Sequence, residues 1–400
     1  MGRRSDLRAR RSSNTLSESP GRVVWKGLVM ARRAVIVGAG VGGLAAGIAL
    51  RQAGWSVTVL EQTEELQAVG AGLSLWPNAV RSLRALGLGR IAEAPEAPRA
   101  DGALRRSDGS VLARFDPRKI EARYGAPLVG VHRGDLQAAL VEALGEERLR
   151  FGARVTGLAV GRVGLADGET LPADLVVGAD GMRSTVRSEI LGDGEPRASG
   201  IVAFRGVTAN KQPVPAGEWW GSGSVAGLLP LSRGRTYWYL AFRGDVATDL
   251  AKLARRAADY ASPVPDLVAA TDPDAILRHA LYDRPPSDCW TRGTTVLVGD
   301  AAHPMLPFLG QGACAALDDA VALGAAVGEN TDVDMALEAY EWMRVPRASK
   351  LVRGSRTASR VALLRPGLLR ALRNGLVGAT PDSARMRQLD GIVGSSPSGR

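Results

Sequence analysis

Four short stretches carry residue types whose spacing can do chemistry. The first is Gly38-Ala39-Gly40-Val41-Gly42-Gly43, a G-x-G-x-x-G turn, with an acid, Glu61, 23 residues beyond Gly38. The others are Asp180-Gly181, Gly299-Asp300 in the run GDAAH, and the turn Gly310-Gln311-Gly312. Side-chain-free backbone N–H groups at a helix start attract phosphate. A carboxylate at the end of the next strand accepts hydrogen bonds from a ribose diol, and its charge repels a 2′-phosphate.

These residues need particular elements to hold them. Ala34–Val37 is a short apolar run entering the glycine turn, and Leu44, Ala45, Ile48 and Ala49 then recur at helical spacing until Gly54. The next apolar run, Val57–Leu60, ends in Glu61. In this strand–turn–helix–strand unit Gly38 permits the tight turn, Gly40 lets a pyrophosphate approach, and Gly43 lets helix and strand lie close. The unit predicts a dinucleotide and leaves NAD and FAD undecided. Residues 174–187 (DLVVGADGMRSTVR) repeat the strand-to-turn logic around Asp180, and residues 294–323 repeat it around Asp300 before Gly310–Gly312 opens a further helix.

At 400 residues and 45% hydrophobic content, the chain can bury a substantial core. Its net charge of +10 is uneven: residues 1–30 carry +5 and residues 341–400 carry +9, leaving about −4 over the rest. No aromatic residues interleave with the basic ones, so nucleic-acid binding is not expected. No run of 18 apolar residues predicts a membrane span, and no secretory signal is legible at the start. Cys289 and Cys314 have neither metal-ligand nor redox spacing. The expectation is a cytoplasmic protein with free thiols and no metal site. Met30 offers a second start, so residues 1–29 are expected to be disordered or not made.

Taken in order, GAGVGG with Glu61, the Asp180-Gly181 motif, and Gly299-Asp300 with Gly310–Gly312 resemble the FAD-dependent aromatic hydroxylases, a family of single-component flavin monooxygenases that includes salicylate and urate hydroxylases. GAGLSLWPNAVRSLRALGLG at 70–89 and HRGDLQAAL at 132–140 extend the resemblance across roughly Arg33 to Arg360. It implies an α/β fold: a Rossmann-type FAD-binding domain, an interleaved mixed or antiparallel substrate sheet, and C-terminal helices. The implied boundaries are 31–100, 128–195 and 291–345 for the cofactor domain and 101–127 and 196–290 for the substrate sheet. C-terminal helices would fill 346–380, followed by a flexible tail at 381–400.

By resemblance, FAD is held by Gly38, Gly40, Val41, Gly42, Gly43, Glu61, Gln62, Gly72, Arg133, Val155, Asp180, Asp300, Gly310, Gln311, Gly312 and Ala313. Asp300 would take the ribityl hydroxyls, and Arg133 would lie near the flavin. The implied reaction is reduction of FAD by NADPH or NADH, addition of O₂ to give a C4a-hydroperoxyflavin, and oxygen transfer to a small aromatic or phenolic substrate. The nicotinamide would visit transiently. Arg183 and Arg187 either meet its phosphates or are ordinary surface charges.

Arg205 and Pro307 are candidate catalytic positions. Trp220, Trp238, Tyr239 and Phe308 are candidate substrate contacts, with core packing as the alternative for the three strand aromatics. Where the urate hydroxylase pattern carries an acid before the LGQG turn this chain has Phe308, which favours an apolar or phenolic substrate over a purine. His303 is expected to make a structural hydrogen bond, while His132 and His279 have no assigned role. Two rival readings are a flavin dehydrogenase or reductase without oxygen transfer, and a flavin-binding sensor. The sensor would use a basic stripe of Arg347, Lys350, Arg353, Arg356 and Arg360. A halogenase is disfavoured because WxWxIP is absent. A monomer or homodimer is expected.

Overall fold

In the computed structural model, residues 31–66, 71–93, 102–209, 214–244 and 247–394 are described. The expectation for residues 1–29 therefore lies outside the described residues.

The chain begins with β1 (Arg33–Val37), α1 (Val41–Gln52), β2 (Ser56–Leu60), β3 (Gly72–Leu75), α2 (Pro77–Ala85) and the short α3 (Arg90–Glu93). It then leaves for β4 (Ala103–Arg106), β5 (Val111–Arg114) and α4 (Pro117–Tyr124). It returns through β6 (Val129–His132), α5 (Arg133–Leu144), β7 (Leu149–Arg150), β8 (Val155–Ala159), β9 (Arg162–Leu165), β10 (Thr170–Pro172), β11 (Leu175–Gly178) and α6 (Thr185–Leu191). A second excursion makes β12 (Arg197–Ala209), β13 (Gly217–Trp220), β14 (Ser224–Leu231), β15 (Arg235–Arg243), α7 (Leu250–Ala257), α8 (Val264–Ala269) and β16 (Leu277–Asp283). The chain closes with β17 (Thr291–Arg292), β18 (Thr295–Leu297), α9 (Gly312–Glu329), α10 (Val333–Ala362), α11 (Gly367–Ala379) and α12 (Asp382–Val393).

The strands β1 and β11 are buried along almost their whole length, which is why they read as continuous apolar runs and not as alternating ones. They lie inside a six-stranded sheet of order β17-β18-β11-β1-β2-β7, parallel except for β17. Its register aligns the strand ends: Val37 pairs with Leu60 and with Gly178, and Gly178 pairs with Leu297. Gly38, Glu61, Ala179 and Val298 therefore leave the sheet side by side at its carboxyl edge, where α/β sheets bind ligands.

The seven-stranded sheet has the order β16-β12-β15-β14-β13-β4-β5 and is antiparallel except where β13 meets β4. One face, with Phe204, Trp238, Leu240, Phe242 and Trp219, is buried against Leu253, Ala257, Val264 and Leu267 of α7 and α8. The other face is left for the site. The α/β architecture and C-terminal helices agree with the sequence expectation.

Two boundaries differ from that expectation. Helix α10 runs unbroken from Val333 to Ala362 with Pro346 inside it, so the limit expected at residue 345 falls within one helix. Residues 382–393, expected in a flexible tail, form α12 and dock on α4: Leu389 and Val393 are buried with Ile120 and Tyr124. Arg123 grips Asp390 with two hydrogen bonds of 2.8 and 2.6 Å. The apolar spacing of Leu389 and Val393, one helical turn apart, supplies the anchoring.

Candidate functional site

The glycine turn after β1 has its shape enforced by the protein at two positions. Gly38 has φ +103°, and a Cβ there would stand 2.5 Å from the Ala179 carbonyl oxygen. A Cβ on Gly43 would stand 1.9 Å from the Gly38 oxygen. Gly40 is different: its φ is −73°, and no protein atom lies within 4 Å of a Cβ placed on it. The space beside Gly40 is open to a ligand. The carboxylate of Glu61 is fixed next to this turn, accepting from the N–H of Ala39 and of Thr63 at 3.0 Å each. Ala153 N–H donates to the Glu61 carbonyl at 2.8 Å, which brings the segment leading to Val155 alongside. Gln62 is exposed next to it.

Helix α9 lies against α1 in the same direction. Added Cβ atoms on Gly42, Gly324 and Gly328 would meet Ala316, Ala49 and Ala53 at 3.3, 2.7 and 3.8 Å, so start pairs with start and end with end. Gly42 thus serves helix packing. Both starts, at Gly40 and Gln311, lack a side-chain cap and have no acid in the first turn. Two sets of unsatisfied N–H groups with their positive dipole ends therefore face one end of the fold. Asp300 stands between them, its Oδ1 being 3.9 Å from a Cβ placed on Gly312. The residue is exposed, yet desolvation by the groups around its carboxyl raises its pKa, against the opposing pull of His303 and Arg133.

The Asp180-Gly181 motif is committed to its own helix. Asp180 accepts from Ser184 Oγ and from the N–H groups of Thr185 and Val186 at 2.7 and 3.2 Å, capping α6. Arg187 is not a surface charge, nor does it point at a phosphate site. It is 1% exposed, and its Nη1 donates to the carbonyls of Ala301 and Ala302 at 2.8 and 2.7 Å, while its other nitrogens grip Asp193. It ties α6 to the turn that carries Asp300. Arg183 is exposed, 3.9 Å from Glu195.

Behind that turn, Asp319 accepts from the Gly299 N–H at 2.9 Å and Arg344 Nε at 2.7 Å, and shares 2.6 Å with His303 Nε2. Burial pushes its pKa up, but the charges of His303 and Arg344 overcome this and hold it at about 2. The structural role expected of His303 is what the geometry gives. Asp318 extends the network to Asn78 and Ser82 at 3.0 and 2.7 Å.

The free face of the seven-stranded sheet turns toward the segment that follows Asp300, with Ile201, Ala203, Val225 and Ala241 packed with Leu306, and the space beside this contact is the candidate chamber. Register places Leu277, Arg205, Tyr239, Gly227 and Glu218 in one row across the strands. Tyr239 lies over Gly227, where a Cβ would meet its Cε1 at 2.1 Å, and its hydroxyl donates to Glu218 Oε1. Trp220 Nε1 donates to Glu218 Oε2 at 3.1 Å. Desolvation raises the pKa of Glu218, with both hydrogen bonds opposing. Phe308, Trp220 and Tyr239 pack against one apolar cluster on this face, and Pro307 is exposed beside Phe308. Arg205 and Arg133 both depress the pKa of His279, after its burial does, so these three groups share the chamber's field. Gly72 approaches from the β3–β6 ribbon, where its added Cβ would meet Tyr237 at 2.4 Å.

Trp238 is excluded from this chamber. It points to the opposite face, is 1% exposed, and its Nε1 donates to Thr271 Oγ1 at 2.8 Å. In a strand, neighbours alternate faces, so Trp238 and Tyr239 cannot both line one cavity. The basic stripe on α10 is also divided. Arg347 donates to the Ile392 carbonyl at 2.7 Å and Arg356 binds Asp283 at 2.6 Å, leaving only part of the stripe outward.

This geometry belongs to a chain with extensive similarity to known flavoproteins. Residues 32–355 match the family model described as an FAD binding domain. The chain is 38% identical over 333 residues to the aurachin C monooxygenase/isomerase of Stigmatella aurantiaca, spanning 80% of this chain and 87% of that protein. It is 35% identical over 336 residues to the FAD-dependent urate hydroxylase of Klebsiella pneumoniae, spanning 80% and 88%. The chain belongs to the FAD-dependent aromatic hydroxylase family. The solved structure of Klebsiella pneumoniae HpxO with FAD and uric acid aligns over 92% of this chain and 97% of that one, with a TM-score of 0.85 at 30% identity. This flavoprotein contains no helix, among the described residues, long and apolar enough to cross a membrane.

Sequence reasoning missed two residues of this hydroxylase-family chain that the geometry brings forward. Glu218 had a signal: an acid two positions from Trp220 in an alternating strand shares its face. His132 caps α5, its Nδ1 accepting from Gly134 N–H at 3.2 Å, a role that its place at a strand-to-helix junction suggests.

Proposed function

We propose that this flavoprotein is a monooxygenase that takes electrons from NADH or NADPH and hydroxylates a small aromatic or phenolic substrate. The observation that carries this reading is the chamber itself. The two helix starts with Asp300 form one wall, and an aromatic, partly polar sheet face with Arg205, Tyr239, Trp220 and Glu218 forms the other.

FAD supplies the electron transfer and the activation of O₂. The N–H groups of Gly40–Gly43 would hold its pyrophosphate, Glu61 its ribose, and Asp300 its ribityl hydroxyls. The start of α9 at Gly312 and Ala313 stabilises negative charge brought near it. On the facing wall, Phe308, Trp220 and Tyr239 would sandwich a flat ring and exclude water. The Arg205 side chain makes no hydrogen bond or ion pair with any described residue, so it is available to an anionic or electron-rich edge of the substrate. The relatives support an aromatic or heteroaromatic substrate. The exposed Pro307 would bound the space between ring and cofactor.

Anaerobic reduction of the yellow protein by each nicotinamide, with and without candidate phenols, followed by O₂, tests the proposal. The expected result is ligand-accelerated reduction and a product that gains one oxygen atom from O₂. Turnover with no oxygen incorporated would make it a dehydrogenase or reductase. Absence of any nicotinamide oxidation under every ligand would leave the sensor reading.

A further inference from the structure

Helix α11 is amphipathic in the reverse sense to a packed helix. Of its residues only Arg373 is buried, whereas Leu368, Leu369, Leu372 and Leu376 are 83, 46, 59 and 62% exposed. Positions 368, 372 and 376 follow one another at helical spacing, so the leucines form one outward stripe. Single exposed leucines are ordinary, but a contiguous stripe on one helix marks an interaction surface.

The inward residue fixes where the stripe sits. Arg373 donates to the carbonyls of Val361 and Ala362 at 3.2 and 2.9 Å, and its guanidinium lies 4.7 Å over the Trp220 ring. Helix α11 is thereby clamped beside Trp220 at the end of α10, with its leucines turned to solvent.

Charge identifies what fits it. Between Glu341 and Asp382 the chain has nine Lys or Arg residues and no acid. Arg360 and Arg365 are exposed at the corner between α10 and α11, Arg370 lies in the helix itself, and none of the three has an ion pair among the described residues. A second copy of this chain meeting the same patch across a two-fold axis would bring these arginines against their own counterparts. Residues 1–30 carry +5 and are repelled likewise. A convex leucine stripe flanked by arginines matches an anionic lipid surface, where the apolar side chains enter the headgroup boundary and the guanidinium groups pair with phosphates.

We propose that α11 is a peripheral docking helix that lays its leucine stripe on an anionic membrane surface. This does not depend on the monooxygenase reading.

The test is flotation of the full-length flavoprotein with phosphatidylcholine vesicles, with and without phosphatidylglycerol. Partitioning should be at least about tenfold stronger on the anionic vesicles and should fall as salt rises. Replacing Leu368, Leu372 and Leu376 together by Gln should cut it by about tenfold or more, since both apolar burial and charge are needed. These side chains are exposed, so the variant should keep its flavin content and circular dichroism spectrum. Equal binding of the Gln variant would overturn the proposal. So would absence of vesicle binding together with a dimer that the variant dissociates, which would assign the stripe to a second copy. Tight binding to polyglutamate that ignores the leucine replacements would overturn it in favour of an acidic polypeptide.

Discussion

Tyr239 reaches across Gly227 to donate its hydroxyl hydrogen bond to Glu218. The contact spans three strands and exists because β14 offers no side chain between the two. Glu218 opposes ionisation of Tyr239, whereas the hydrogen bond from Tyr239 favours the charged form of Glu218 and only partly offsets its burial. Burial and the neighbouring Glu218 raise Tyr239 well above its usual value, and burial raises Glu218 above the ordinary glutamate value of 4.5. The Glu218 carboxyl, on the strand that carries Trp220, therefore holds its own proton more firmly than a free glutamate does.

Replacing Glu218 by Gln keeps the shape and removes the titration. Because the folded-state pKa is raised, the native protein holds this proton more tightly than the unfolded chain, and stability falls as pH rises from 4.5 towards the folded value. The Gln variant should lose that slope, seen in urea unfolding across pH. Ligand titrations followed by the flavin absorbance should also lose a transition above pH 4.5 that the parent shows. A transition of unchanged size and position would detach Glu218 from the chamber.

The parts of this site legible in the sequence were those where a backbone need fixes the residue type. Gly38 and Gly43 are demanded by contacts of 2.5 and 1.9 Å, and Glu61 ends a strand whose apolar run was plain. Residues whose meaning depends on distant pairing were not legible. Trp238 and Tyr239 are adjacent in sequence, and only the register with β12 and β14 shows which one faces the chamber. Arg187 read as either a phosphate contact or a surface charge because its carbonyl partners, Ala301 and Ala302, lie more than a hundred residues away. The end of the chain reads as a polar tail until Leu389 and Val393 meet Ile120 and Tyr124.

Asp319 holds the turn of Asp300 from behind, and Asp319→Asn should be costly. It leaves the buried guanidinium of Arg344 without its nearest charge, a loss of about 3–5 kcal/mol. The carboxyl is depressed from 3.8 to about 2, so its contribution of about 2 kcal/mol is complete above pH 3.8 and is lost as pH falls towards 2. Chemical denaturation at pH 7 and between pH 4 and 2 checks both. A variant as stable as the parent at pH 7 would refute the network's role.

Arg187 and Arg183 separate a structural role from a nicotinamide-binding one. Arg187→Met strips donors from two buried carbonyls and one side of Asp193, and should cost about 3 kcal/mol or more. Arg183→Ala removes a long, exposed ion pair and a cation–π contact 5.2 Å from the Tyr282 ring, and should stay within about 1 kcal/mol. If Arg187 acted on the nicotinamide instead, its variant would raise KM for NAD(P)H with Tm unchanged, and that outcome would return it to the binding site.

Gly40 gives the sharpest distinction between a fold requirement and a cofactor requirement. An Ala at Gly43 would place its Cβ 1.9 Å from the Gly38 oxygen, so that variant should fail to fold or lose several kcal/mol of stability. An Ala at Gly40 adopts an ordinary φ of −73° and meets no protein atom within 4 Å. The cofactor-free protein should tolerate it, with a change in stability of less than about 0.5 kcal/mol. If the open space beside Gly40 belongs to the pyrophosphate of FAD, the added methyl must collide with the ligand and weaken binding by about tenfold or more, because backbone N–H groups lose their approach. Unfolding of the apoprotein and titration with FAD read the two effects separately. Retained affinity in Gly40→Ala would move the pyrophosphate away from this turn.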